Sequence, residues 1–353
     1  MVQLYGIGPH ERNYAASTCD CVAHRFGHAA DHPDRTRAYP TDLTDPEWAE
    51  MAPLIPTPAW ILGHGGRPEE YCHRQLIDAV LYLTDNGIKW RAMPSDFPAW
   101  DDCYRFFRRW KTQGLLALLH DRLRRACRTR AGRAPEPTAA IIDSQSLRAA
   151  ETVGAAQRGY DAAKKINGTK RHIAVDTIGL LLAVVVTAAG VQDRDGAIPL
   201  LTRTAALCLR VNKIWADAAY AGPLADWATA HVHADLEIVR RCDTQRGFVV
   251  LARRWVVERT LAWLVRHRRL ARDYERRHES GEELVRWAMT RLMTRRLART
   301  PPPPAPAGPQ ARTANNPGTD STTHPRSTSR LSFDRTASTL LGTGPNPTPR
   351  ATC

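Results

Sequence analysis

The chain of 353 residues carries 50 Lys and Arg against 36 Asp and Glu, a formal charge of +14. That balance favours a polyanionic partner, nucleic acid before an anionic membrane surface. Part of the excess reflects a preference for Arg (44) over Lys (6), as G+C-rich coding produces. Hydrophobic residues, at 43%, are enough for a sizeable core, and at roughly 150 residues per domain the length suits about two domains. The longest apolar stretch, Ile178 to Val191, falls short of the ~20 residues that span a bilayer. No basic-then-apolar leader opens the sequence, and no P-loop, nucleophile elbow or HExxH stretch occurs. Eight scattered Cys read as reduced thiols of a cytoplasmic protein rather than a disulfide scaffold.

Taken in chain order, residues 1–38 form a polar, His-rich extension without periodicity, expected to be disordered. Cys19, Cys21, His24, His28 and His32 raise the question of zinc there. Their CxC and HxxxH spacings lack the paired CxxC of common zinc sites, so the expectation is no metal. Residues 39–135 are helical and Trp-rich. Thr44 or Asp45 is the expected N-cap of one helix, with Pro46 in its first turn. Leu76, Ile77, Val80, Leu81 and Leu83 give the next an apolar face that stops at Asn86-Gly87. A third follows Pro98, with Trp100, Tyr104, Phe107 and Trp110 along it and Arg105, Arg108, Arg109 and Lys111 around the other side; Leu115 to Arg130 makes a fourth. This is compatible with a helix-turn-helix laid on DNA, and equally with a core stripe backed by a solvated face.

From 136 to 299 strands alternate with helices. The expected order is a strand ending at Asp143, a hairpin turning at Thr177-Ile178-Gly179, a helix over 195–210, strands at 213–217 and 236–241, one long helix from Arg253 to Arg277, and another over 281–298. Residues 300–353, beginning PPPPAPAGP, are a Pro/Ser/Thr/Arg-rich tail too poor in large apolar residues to fold.

Two Asp close apolar runs, Asp143 and Asp217, and the carboxyl ends of strands in an open sheet face the ligand crevice. Glu258 is expected on the inward face of its helix, an expensive place for an anion without a cation. Each acid alone reads more readily as a turn cap or, for Glu258, an ion pair with Arg254 at i−4. Together, in so basic a chain, they suit phosphodiester cleavage with two divalent cations held by hard oxygen ligands. A glycosidase pair is the alternative. Lys164, Lys165, Lys170 and Arg171, and the run containing Arg266, Arg268 and Arg269, are candidate phosphate contacts.

IIDSQS (141–146), RGYDAAKKINGTKRHIAVDTIGLLLAVVV (158–186), WADAAYAG (215–222) and RRWVVERTLAWLVRHRRLARDYE (253–275) resemble the motifs of bacterial insertion-sequence DDE transposases, in the fifth-family group. GIKWRAMPSDFPAWDDCYRFFRRW (87–110) is similar to the N-terminal DNA-binding segment of the same group. The resemblance covers about residues 39–298. It implies an α/β fold, a ribonuclease-H-like mixed sheet flanked by helices, preceded by a small all-α helix-turn-helix-like domain. It further implies that Asp143, Asp217 and Glu258 are catalytic and bind two Mg²⁺ (or Mn²⁺) ions, and that Arg254 contacts element-end DNA. The expected activity is binding of terminal inverted repeats, end cleavage and transfer of the 3′-OH to target DNA. The expected partners are double-stranded DNA and further copies of the chain on it, with no membrane. A DNA-binding repressor remnant or a hydrolytic nuclease of the same fold are the alternatives. Where related transposases place a Tyr and a Lys around this helix, Leu251 and Val265 stand here, and Arg266, Arg268 or Arg269 would substitute.

Overall fold

The computed structural model describes residues 19–25, 37–58, 61–63, 70–239 and 254–299. The tail, most of the extension, His28, His32 and Leu251 lie outside them. Within the extension, residues 19–25 include a one-turn helix, α1 (Val22–Arg25), with Cys19, Cys21 and Ala23 buried. The expectation of disorder is corrected there.

Four helices follow: α2 (Asp45–Met51), α3 (His73–Asn86), α4 (Trp100–Thr112) and α5 (Leu115–Arg130). Thr44 caps α2 through a capping box in which Glu47 N–H donates to its hydroxyl and the Glu47 carboxylate accepts from Thr44 N–H, an arrangement worth about 0.5–2 kcal/mol. Gly87 ends α3 at φ +70, in the left-handed region where a side chain is strained.

The sheet comprises β1 (Ala139–Arg148), β2 (Gly159–Asp161), β3 (Ile166–Val175), β4 (Leu181–Ala188), β5 (Lys213–Ala216) and β6 (Asp235–Ile238). β1 is central. It pairs antiparallel with β3, which pairs antiparallel with β4 and, at its start, with β2. On its other side β1 pairs parallel with β5, and β5 parallel with β6. This mixed order, with flanking helices, is ribonuclease-H-like. Side chains alternate across the faces. Ile141, Ile173 and Val175 enter one core; Ala140, Ile142 and Ala174 enter another. The second core is closed by α6 (Asp193–Leu207) and α7 (Leu224–Val232). Gly196 lets α6 reach the sheet, because a Cβ there would stand 2.2 Å from the His172 ring.

The first core is shared with α2–α5 and with α8 (Arg254–Val265) and α10 (His278–Ala298). Trp287 of α10 stacks on Trp110 at 5.8 Å and lies 6.3 Å from Phe106. The long helix expected from Arg253 to Arg277 is three pieces. Its chain breaks after Val265, resumes as α9 (Arg268–Ala271), and at Ala149 and Asp273 bridges back to the sheet beyond β1. Ala150 N–H donates to Asp273 O and Asp273 N–H to Arg148 O; those bonds override helix propensity.

Asp176 turns the β3–β4 hairpin by accepting from Ile178 N (3.0 Å) and Leu180 N (2.8 Å). Its other oxygen pairs with Arg128 of α5, both side chains buried. Removing one partner of such a pair strands a charge, at a cost of about 3–5 kcal/mol. Asp176→Ala should therefore lower stability by about that amount in urea titration. Asp235→Ala, breaking the exposed pair with Lys213, should cost less than about 1 kcal/mol.

Candidate active site

β5 accompanies β1 only from Ala139 to Ile141, where Lys213, Ile214 and Trp215 lie opposite. Beyond that point the two chains separate. Asp143 is two residues past the last paired position on β1, and Asp217 follows β5 directly. Both therefore flank the same opening. β1 itself does not end at Asp143 but runs on to Arg148, paired with β3 alone. By period-two alternation Asp143 shares the face of Ile141, the face on which α8 packs.

Asp143 is half-buried, and its Oδ1 accepts from Ser144 N at 2.7 Å. Burial, then the neighbouring Asp217 and Glu258 charges, raise its pKa from 3.8 to about 6, against the pull of the Ser144 N–H and Arg254. Asp217 caps a 3₁₀ turn, its Oδ1 accepting from Ala219 N at 2.9 Å. Glu258 is exposed, not inward: the buried face of α8 is Val257, Thr260, Leu261 and Leu264. It sits beside that face, toward the opening.

Arg254 joins the set. Its Nη2 lies 3.1 Å from Glu258 Oε1 and 3.6 Å from Asp217 Oδ2. A guanidinium thus stands as the counter-cation of the cluster. The donors are all hard carboxylate oxygens with a cation already drawn among them, which fits Mg²⁺ or Mn²⁺ better than a soft metal. The two local readings of these acids, turn cap and i−4 ion pair, are both realised here.

The supporting residues carried no signal of their own in the sequence. Asp193, in the first turn of α6, accepts from Ser144 Oγ (2.7 Å) and Lys170 Nζ (3.0 Å). Tyr220 is buried nearby, its hydroxyl pKa driven well up by burial and then by Asp143 and Asp193. Only tertiary contact reveals either one.

The basic residues divide. Lys170 and Arg171 are buried, and their expected place on a DNA surface is corrected. Lys170 bonds Val191 O and Asp193 inside the fold, and Arg171 donates to Leu270 O, its pKa lowered to about 10 by burial. β3 is covered on both faces, so neighbouring positions are both enclosed. Lys164, Lys165, Arg266 and Arg268 are exposed. Arg105 is exposed but paired with Asp101 and Asp102. Arg109 is half-buried, and Arg269 is held by Glu275 at 2.7 Å and by Ile88 O at 2.8 Å.

Arg108 lines a cleft of about 710 Å³ with Arg91, Trp100, Tyr104, Arg276 and Arg277. Arg91 lies 5.2 Å over Trp100 and Arg108 5.9 Å over Tyr104. The expected aromatic stripe is thus split: Phe107 and Trp110 are core, whereas Trp100 and Tyr104 are exposed.

Residues 134–293 match the family described as "Transposase DDE domain". Residues 43–120 match the family described as "Putative transposase of IS4/5 family (DUF4096)". A protein of Burkholderia cepacia described as "Putative transposase for insertion sequence element IS402" is 33% identical over 117 residues, 31% of this chain and 55% of that protein. The chain thus spans about half the length of this curated relative. No solved structure matches the chain. Two transposase family matches met in succession, over the helical part and over the sheet that carries the acids, make these two parts of the chain similar to DDE transposases of insertion-sequence elements.

Proposed function

We propose that this chain binds the terminal inverted repeats of its element through residues 39–135, cleaves phosphodiester bonds at the ends and transfers the freed 3′-OH to target DNA. The family acts on DNA and generally uses divalent metal ions. The observation that carries the finer reading is the gathering of acids from β1, the end of β5 and α8 around the Arg254 guanidinium. Asp143, Asp217 and Glu258 are the catalytic residues and would hold two Mg²⁺ or Mn²⁺ ions. Bound there, the cations would neutralise scissile-phosphate charge and lower the pKa of an attacking water.

The chain's own residues do the rest. Asp143 must lose its proton before it can serve as a ligand, and its burial makes that the limiting ionisation. Arg254 neutralises Asp217 and Glu258 until a cation replaces it; its guanidinium is then available to a DNA phosphate, for which its fork geometry suits it. Arg108, Lys164, Lys165, Arg266 and Arg268 are the exposed candidates for backbone contact, and the cleft with Trp100 and Tyr104 offers faces on which bases can stack. Holding two ends at once calls for more than one copy of the chain on DNA. The setting is the bacterial cytoplasm, where the element's DNA lies.

Asp143→Asn, Asp217→Asn and Glu258→Gln should each reduce Mg²⁺-dependent nicking of end-containing DNA to background while leaving end binding intact. Parent-like cleavage by Asp143→Asn would overturn the assignment. Binding without cleavage by the parent at any metal concentration would leave a DNA-binding repressor, and cleavage without joining of pre-cut ends a nuclease.

The raised Asp143 pKa has a definite sign. The folded state holds the proton more tightly than the unfolded chain, so this group's stabilising contribution is complete below pH 3.8 and lost as pH rises through about 6. At about 1.4 kcal/mol per pH unit the loss is on the order of 3 kcal/mol. Metal-free Asp143→Asn should therefore melt above the parent at pH 8. Mn²⁺ affinity of the parent, followed by titration calorimetry, should fall about tenfold per pH unit below about 6, one proton being displaced per binding event.

Arg108→Ala should weaken end binding and flatten its dependence on log salt by about 0.9 if one phosphate contact is lost. Lys170→Met should leave that slope unchanged.

A further inference from the structure

Residues 19–25 and the start of α3 bring together a second donor set, with chemistry unlike that of the acids. Cys19, Cys21 and Cys72 are buried, none in a disulfide. Cys72 Sγ lies 3.5 Å from Cys19 Sγ and 3.9 Å from Cys21 Sγ, and Cys21 Sγ lies 3.4 Å from His24 Nδ1. All four ligand atoms fall within 4.8 Å of one another. A disulfide would bring two sulfurs to about 2.05 Å. A tetrahedral zinc ion with bonds of about 2.3 Å to sulfur and about 2.0 Å to nitrogen sets its donors about 3.8 Å apart for S···S and about 3.5 Å for S···N. The Cys19–Cys72, Cys21–Cys72 and Cys21–His24 separations lie close to those of the tetrahedron.

The backbone supports the same reading. The CxC pair leads into α1, whose single turn, closed by Arg25 N donating to Cys21 O at 2.9 Å, returns His24 to the sulfurs. Cys72 occupies the N-cap position of α3 and makes no capping bond. Ser, Thr, Asp or Asn would serve that position better by about 1 kcal/mol, so the thiol is not there as a cap. The next residue, His73, packs 6.2 Å from both Phe106 and Trp110, which anchors the ligand in the helical core. A segment this short has little apolar surface with which to hold itself in place.

We propose that Cys19, Cys21, His24 and Cys72 form a structural zinc site that clamps the N-terminal segment onto α3. Three soft sulfurs and one imidazole select zinc over Mg²⁺ or Mn²⁺. Four protein ligands leave no open position, so the site holds structure and carries out no chemistry. Cys21 and Cys72 are 51 positions apart, which hides the set from any motif of closely spaced Cys pairs.

The test uses the full chain, purified reduced from zinc-supplemented cells. Elemental analysis should find about one zinc per chain, retained through dialysis against Mg²⁺. Exchange for Co²⁺ should give the intense absorption of tetrahedral cobalt–thiolate. Cys19→Ser and Cys72→Ser should each cut the zinc content at least tenfold, whereas Cys208→Ser, whose thiol lies in the other core, should keep it. If a serine variant does not fold, the cobalt spectrum of the parent still decides. A zinc-free parent with no tetrahedral cobalt band, a Cys19–Cys72 disulfide in freshly reduced protein, or full zinc content in both serine variants would overturn the proposal.

Discussion

The site depends on how briefly β1 and β5 pair. Parallel strands normally continue side by side until a helix turns the chain away. Here three residues of each strand face one another, and then the partners diverge. Continued pairing would have filled the space between Asp143 and Asp217 with backbone hydrogen bonds. Because it stops, β1 carries Asp143 onward on β3's support alone, the chain after β5 turns at Asp217, and α8 lies across the mouth with Arg254 and Glu258. Burial is the chief cost of holding a charge at Asp143 in that mouth, and repulsion from the neighbouring acids adds to it. Arg254 offsets part of that repulsion.

The fold and the acids that gather beside β1 were largely legible in the sequence because both rest on local patterns. Alternating β-branched runs, an apolar stripe ending at Asn86-Gly87 and a Thr44–Glu47 capping pair each specify their own element. Asp143 and Asp217 were legible as acids placed at the ends of apolar runs. What was not legible depended on partners distant in sequence. Glu258 looked inward from its helical neighbours, yet the buried face is rotated one position from it. The stretch from Arg253 to Arg277 reads as a single helix, but hydrogen bonds between Asp273 and the strand end at Arg148 and Ala150 break it.

Charge was the least transparent signal. Lys170 and Arg171 look like a basic patch in a basic chain, but β3 is enclosed on both faces, and the two side chains serve Asp193 and Leu270 O. Arg269 is likewise engaged, by Glu275 and by a carbonyl of the helical part. A positive side chain advertises only that it seeks an anion or a carbonyl; burial decides whether that partner is DNA or the protein itself. The sulfurs teach the same lesson from the other side. Cys19 and Cys21 gave an incomplete spacing pattern because Cys72 is supplied by another element.

The burial of α10 bears on the order in which the molecule can be made. Trp287 and its neighbours complete the core that α3, α4 and α5 also line, yet this helix is synthesised after every other element described. During translation the earlier helices must wait, with Trp110 and Phe106 uncovered, until residues near 298 have left the ribosome. Such a wait exposes sticky surface and lengthens the search for native contacts. A message cut short before this helix would therefore yield a chain that cannot close either its helical part or its sheet, however complete its acids.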